Sequence, residues 1–220
     1  MKGNNKGFSL VELLVSFAIL GVISAIIGIM MTSGSNMFAK NRARLNLQYK
    51  SQIVASQLHS YLQNCNGGVA VNTNGDLYIA QKTSDESGSI YVISLGEDAD
   101  ADKLFLRQFN ISKENLVGED FKIVANYEKA ADGAASEAVE NITESDISAC
   151  TAQPLCSDVS SWNTVLNSKY AKVNIEFSQG TANYDKNFVE SFRSRPRIVT
   201  AAEVNEDDIL INTLKERVWG

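Results

Sequence analysis

Histidine occurs once in this 220-residue chain, at His59, and cysteine three times, at Cys65, Cys150 and Cys156. So thin a supply of imidazole and thiol argues against metal chemistry, because three thiols and one distant imidazole have none of the usual zinc-ligand spacing. His59 reads as an ordinary helix-surface residue. There is no Gly-x-Ser-x-Gly elbow, no Walker loop and no His/Glu metal motif. An enzyme is therefore not expected, and no cofactor is called for. Internal repeats are missing too, and only the Ala/Glu-rich passage Ala130 to Glu140 is biased in composition. Positive charge is outnumbered, with 20 Lys and Arg against 26 Asp and Glu, which disfavours a nucleic-acid partner.

What the chain does have is concentrated at its amino end. Nineteen almost purely apolar residues, Leu13 to Met31, follow the string Lys6-Gly7-Phe8-Ser9-Leu10-Val11-Glu12. At a rise of about 1.5 Å per residue the run is roughly 28 Å long, close to the hydrocarbon thickness of a bilayer. Only Ser16 and Ser24 interrupt it, and a hydroxyl there can bond back to the preceding turn. Gly21 with Ala25 and Ser24 with Gly28 are small residues four apart, a spacing that permits close helix approach and is equally ordinary membrane-helix composition. Glu12 puts a carboxylate at the head of this run. An acidic residue in the middle of a membrane helix costs about 2.5 to 3.5 kcal/mol, so one placed here calls for a partner or a task.

A secretory signal peptide carries its cleavage site behind the apolar region. This chain inverts the order: a short basic leader with Lys2 and Lys6 ends at Gly7, and the apolar run lies beyond it. The arrangement resembles the type III signal of type IV pilins and of the pseudopilins of type II secretion and competence machines. The resemblance implies that prepilin peptidase cuts between Gly7 and Phe8 and methylates the new terminus at Phe8. It further implies that the Glu12 carboxylate pairs with the Phe8 amine of a neighbouring subunit, each neutralising a charge that is expensive in a low-dielectric filament core. The plainer alternative is a Glu12 that snorkels to the headgroups. Many major pilins carry a Pro in the second half of the segment, where this chain reads Gly28-Ile29-Met30. Lys2 and Lys6 on one side and Lys40, Arg42 and Arg44 on the other leave the precursor's orientation weakly specified by charge. The resemblance implies a cytoplasmic amino terminus.

On this reading residues 1–7 are a leader, 8–31 a membrane and filament-core helix, and 32–220 an amphipathic helix with an extracytoplasmic sheet domain. Beyond the membrane segment 18 basic and 25 acidic residues remain, a net of −7. Roughly 190 residues suit one compact core better than two small ones. Thr32-Ser33-Gly34-Ser35-Asn36 offers a hinge, and Met37 to Asn64, free of Gly and Pro, reads as helix. Leu47, Val54, Leu58, Tyr61, Leu62 and Cys65 form one apolar stripe, and Phe38, Leu45 and Tyr49 form a second near the opposite face. Such a helix needs cover from its own sheet at one end and from other subunits at the other. Asn66-Gly67-Gly68 stops it. Strands are expected over Leu77 to Gln81, Ile90 to Leu95, Leu104 to Phe109, Phe121 to Tyr127 and Ala171 to Phe177, giving an α+β architecture in which a long helix lies on an antiparallel sheet, as in pilins. Lys172 to Phe177 with Phe188 to Arg197 resembles the closing strand and arginine-containing end of J-type minor pseudopilins. Ile209 to Val218 fits strand or helix.

Three further groups are candidates. Cys150 and Cys156 close a short loop around Pro154 and are the local disulfide pair; Cys65 bridging to either of them and three reduced thiols are the alternatives. Asp98, Asp100 and Asp102 copy the first ligand positions of a calcium loop, but Lys103 stands where its Gly belongs and Phe109 where its Glu belongs, so a solvated turn is the plainer reading; Glu206-Asp207-Asp208 is read the same way. Arg193, Arg195 and Arg197 would share one face if extended, as a subunit-contacting edge blunted by Pro196 more than as a DNA site. The implied partners are prepilin peptidase, other pilin or pseudopilin subunits, an inner-membrane assembly platform, and the membrane itself before assembly into a surface or periplasmic filament. A minor subunit of an initiating or tip complex is the reading favoured. A surface adhesin or DNA-capture module mounted on a pilin helix, with its site in the acidic turn or in Ala130 to Trp162, competes with it. So does a tethered domain that never polymerises.

Overall fold

The computed structural model describes residues 9–113, 121–125, 141–143, 146–147, 150–200 and 209–220. One helix, α1 (Leu10–Gln63), runs unbroken for 54 residues. The Thr32 to Asn36 cluster, expected as a hinge, lies inside it and is helical. Thr32 turns its hydroxyl back onto the carbonyls of Gly28 and Ile29, at 3.1 and 3.0 Å, so it works within the helix instead of drawing the backbone out of it. No proline breaks the ladder. The helix ends at Asn64, after which the Asn66 side chain pairs with Lys82 in both directions, donating to its carbonyl at 2.9 Å and accepting from its N–H at 2.7 Å.

Two sheets follow. The larger contains β1 (Gly68–Val71), β2 (Leu77–Ser84), β3 (Ser87–Leu95), β4 (Leu104–Lys113), β5 (Phe121–Ala125), β6 (Gln153–Cys156) and β10 (Arg197–Thr200), in the order β10-β1-β2-β3-β4-β5 with β6 alongside the first residues of β4. Its pairs are antiparallel except β1 with β10, which run parallel. The smaller sheet is a meander of β7 (Val159–Asn167), β8 (Tyr170–Gln179) and β9 (Ala182–Ser191). Its second hairpin turns on Gly180, whose φ of +62° is the left-handed conformation a two-residue turn needs. A final helix, α2 (Leu210–Trp219), settles the carboxyl-terminal segment that fitted strand or helix.

Alternation along the strands sorts their side chains onto two faces of the large sheet. Val69, Leu77, Ile79, Ile93, Leu104 and Leu106 face α1 and the small sheet, and enclose Leu47, Val54, Leu58 and Leu62 of α1 with Val173, Ile175 and Phe177 of β8. Ala70, Tyr78, Ala80, Ile90, Val92, Phe109 and Ile111 face the other way, under Leu210, Ile211, Leu214 and Trp219 of α2. Close approach of α2 depends on Gly88: a Cβ there would overlap the Gln81 carbonyl oxygen and the Trp219 ring. Asn212 fastens α2 to the segment before β6, exchanging two 2.9 Å hydrogen bonds with the Ile142 backbone. The expected single antiparallel sheet is thus two sheets, one with a parallel edge, and the helix-on-sheet α+β architecture stands.

Candidate functional site

The apolar end of α1 has nothing of its own to pack against. Residues 10–31 are all exposed, among them Phe17 at 66% and Ile29 at 68%. Mean hydropathy of the most apolar stretch is 2.7, high enough to cross a membrane, with none of it buried by the rest of the molecule. A surface of this kind is stable only in lipid or against other apolar helices.

At its tip Ser9 is the helix N-cap, with extended backbone. Its hydroxyl accepts from Val11 N–H at 3.4 Å, and the Glu12 carboxylate reaches back to accept from Ser9 N–H at 3.2 Å. This is a capping box, and it satisfies donors that a helix start leaves open while setting a negative charge against the positive end of the helix dipole. Glu12 is thereby engaged within its own chain, whereas the Phe8 amine expected for it belongs to a neighbouring subunit. Gly7 and Phe8 themselves lie outside the described residues. The Ser9-x-x-Glu12 spacing is the sequence signal for this geometry, which neither the expected pair with a neighbour's amine nor snorkelling to the headgroups includes. Ser16 bonds to the Glu12 carbonyl at 2.8 Å, as its place in the apolar run suggested.

Residues 2–28 match the prokaryotic N-terminal methylation motif. This chain carries a type IV pilin-type amino terminus. The match supports a place in the type IV pilin and pseudopilin family, as a pilin-like subunit made as a membrane-anchored precursor, processed by prepilin peptidase and assembled with other pilins. That family is one of structural subunits, which fits the scarcity of catalytic groups. No curated protein and no solved structure matches the chain.

The remaining candidates of this pilin-like chain are dispersed. No disulfide joins its cysteines. Cys150 packs with the α2 side of the large sheet and Cys156 with the α1 side, so the sheet separates the local pair. Cys65 shares the α1 side with Cys156, and its thiol donates to the Gly68 carbonyl at 3.3 Å. Burial pushes Cys65 up to about 12 and Cys156 up to about 11, which favours the protonated thiol of each at neutral pH. Asp98 to Asp100 form one 3-10 turn, Asp98 with a φ of +50°, and Lys103 holds Asp100 at 2.5 Å. Among the described residues no three His, Cys, Asp or Glu side chains gather as a metal site. Arg193 and Arg195 fall in the bend between β9 and β10 instead of sharing a strand face; Arg197 opens β10 and donates to the Arg217 carbonyl at 3.1 Å, while Pro196 is buried. His59, on the α1 surface, meets the Glu190 carboxylate at 2.8 Å.

A polar cavity of about 430 Å³ opens beside β2, β3 and β4, lined by Asp76, Tyr78, Ser94, Glu97 and Arg107. Arg107 donates to Ser94 Oγ at 2.8 Å. Burial raises the Asp76 carboxyl above its usual range, partly offset by the Asn72 side-chain amide, and lifts the Tyr78 phenol to about 12. Its walls combine carboxylates, a phenol and a guanidinium, without a nucleophile set against a base.

Proposed function

We propose that the protein is a minor pilin or minor pseudopilin, cleaved after Gly7, methylated at Phe8, and drawn from the membrane through an inner-membrane assembly platform into the initiating or tip complex of a type IV pilus or a type II secretion or competence pseudopilus. The observation that carries this reading is the division of α1: one apolar stripe is buried by the protein's own sheets from Leu47 onward, while everything before it is left for lipid or neighbouring subunits. A minor position is supported by the size of the two-sheet body and by the clean alternation of β8, the strand on which the resemblance to J-type subunits rests. The precursor would sit with its amino terminus in the cytoplasm and its body, residues 32–220, outside.

Glu12 has two states in this account. Before assembly it caps its own helix, and on entry into the filament it exchanges that backbone donor for the charged amine of a neighbour, a stronger, charge-assisted bond in a low-dielectric setting. Mass spectrometry of the amino-terminal peptide, compared between native membranes and sheared filaments, tests the proposal. A peptide starting at methylated Phe8 and enriched in filaments is expected, and an intact Met1 confined to membranes refutes it. Glu12→Ala should be cleaved normally and recovered poorly from filaments; equal recovery would leave a tethered domain as the better reading.

A further inference from the structure

From Leu13 to Gly75 the sequence contains no Asp or Glu, and four cations, Lys40, Arg42, Arg44 and Lys50, stand in that interval; from Asp76 onward 14 basic residues face 25 acidic ones, a net of −11. Charge is therefore layered along α1: an uncharged apolar span, a cationic zone, then an acidic body. Lys50 faces the body and is matched there by Asp158 and Ser157. Lys40, Arg42 and Arg44 are exposed and make no ion pair among the described residues.

We infer that Lys40, Arg42 and Arg44 form a collar that binds the anionic phospholipid headgroups of the membrane holding the precursor. The inference rests on α1 being a membrane anchor. Because α1 is unbroken, the collar lies about 13 to 20 Å beyond Met31 along the axis. The headgroup layer is about 5 to 8 Å deep, lysine and arginine stems reach back toward it, and the attraction extends for a Debye length of about 8 Å. Exposed Met37 and Phe38, about 9 to 11 Å beyond Met31, stand between the headgroup layer and the collar.

Arrangement around the helix favours a bilayer over a protein. At about 100° per residue Lys40 and Arg44 lie about 40° apart, while Arg42 lies about 160° from both, across the helix. A single protein partner would engage one side. A membrane surface surrounds the helix and meets all three. Cations just outside a bilayer gain attraction to anionic lipid worth about fivefold in binding for each one fully engaged.

The full-length chain in nanodiscs of equal phosphatidylglycerol and phosphatidylcholine tests this, with native mass spectrometry counting retained lipids and carbonate washing of matched vesicles reporting insertion. Inserted protein should retain phosphatidylglycerol at least about threefold over phosphatidylcholine. The triple variant K40Q/R42Q/R44Q should fall to the bulk ratio while still inserting, and K50Q, a cation matched within the body, should keep the preference. Inserted wild type with no preference, or a preference that survives the triple variant, overturns the collar; impaired filament entry in that background would point to a protein partner instead. A chain washed out by carbonate overturns the membrane anchor, and the collar with it.

Discussion

The two halves of α1 share one continuous backbone and meet opposite environments. Between Leu47 and Leu62 a stripe including Leu47, Ser51, Val54 and Leu58 is fully buried, whereas Phe38 and Leu45, which precede it on α1, are 79% and 65% exposed. The difference shows that helix formation and helix burial are separable: hydrogen bonding and the absence of proline carry the backbone through, and only the upper half is held by the molecule's own side chains. The lower half is a surface awaiting a solvent or a partner.

The sharpest way to break this comparison is to truncate one side chain in each half. Leu58→Ala should lower the stability of the body by about 2 to 5 kcal/mol, whereas Leu20→Ala should leave its thermal midpoint unchanged, both followed by circular dichroism of the full chain in detergent. Equal effects would mean that the lower half packs on the body in solution. Gly88→Val should cost about 1 to 3 kcal/mol, since the added carbons meet both β2 and the Trp219 ring; the Trp219 emission should redshift as α2 lifts. Lys50→Ala, at the boundary between the two halves, should cost about 1 to 2 kcal/mol, because its half-buried partner Asp158 loses its cation.

The smallest effect is a pH-dependent gain. Burial raises Asp76 in the folded state above the reference value of 3.8, so folding favours its protonated form. That contribution is fully present below pH 3.8 and is lost as pH rises through the raised folded value, leaving an ionised, partly desolvated carboxylate at neutral pH. Asp76→Asn should then give a slight rise in melting temperature at pH 7 that vanishes on acidification. A uniform decrease across pH would instead assign Asp76 to the hydrogen bond with Asn72, which is 2.7 Å long.

How far the sequence could be read follows from which forces act locally. The switch of stripes along α1 and the alternation of β8 were legible because burial there follows the natural period of the element. Strand β9 was not: Asn183, Asp185, Lys186 and Asn187 give it no apolar alternation, and its pairing comes from the Gly180 turn and from α1 packed beside it. Parallel β10, only four residues long, depends on a distant partner, β1, that no local pattern indicates. At the amino tip the charge of Glu12 stands out in an apolar run and masks its second role, the cap on Ser9 that only the Ser9-x-x-Glu12 spacing signals.

An unbroken α1 also has a mechanical consequence. Fifty-four residues make a rod about 80 Å long, and the average tilt of a membrane helix, about 20°, would carry its far end sideways by roughly 28 Å. Without a hinge at Thr32 to Asn36 to absorb that angle, any rotation imposed on the helix at the membrane is delivered, magnified, to the body as a lever delivers it.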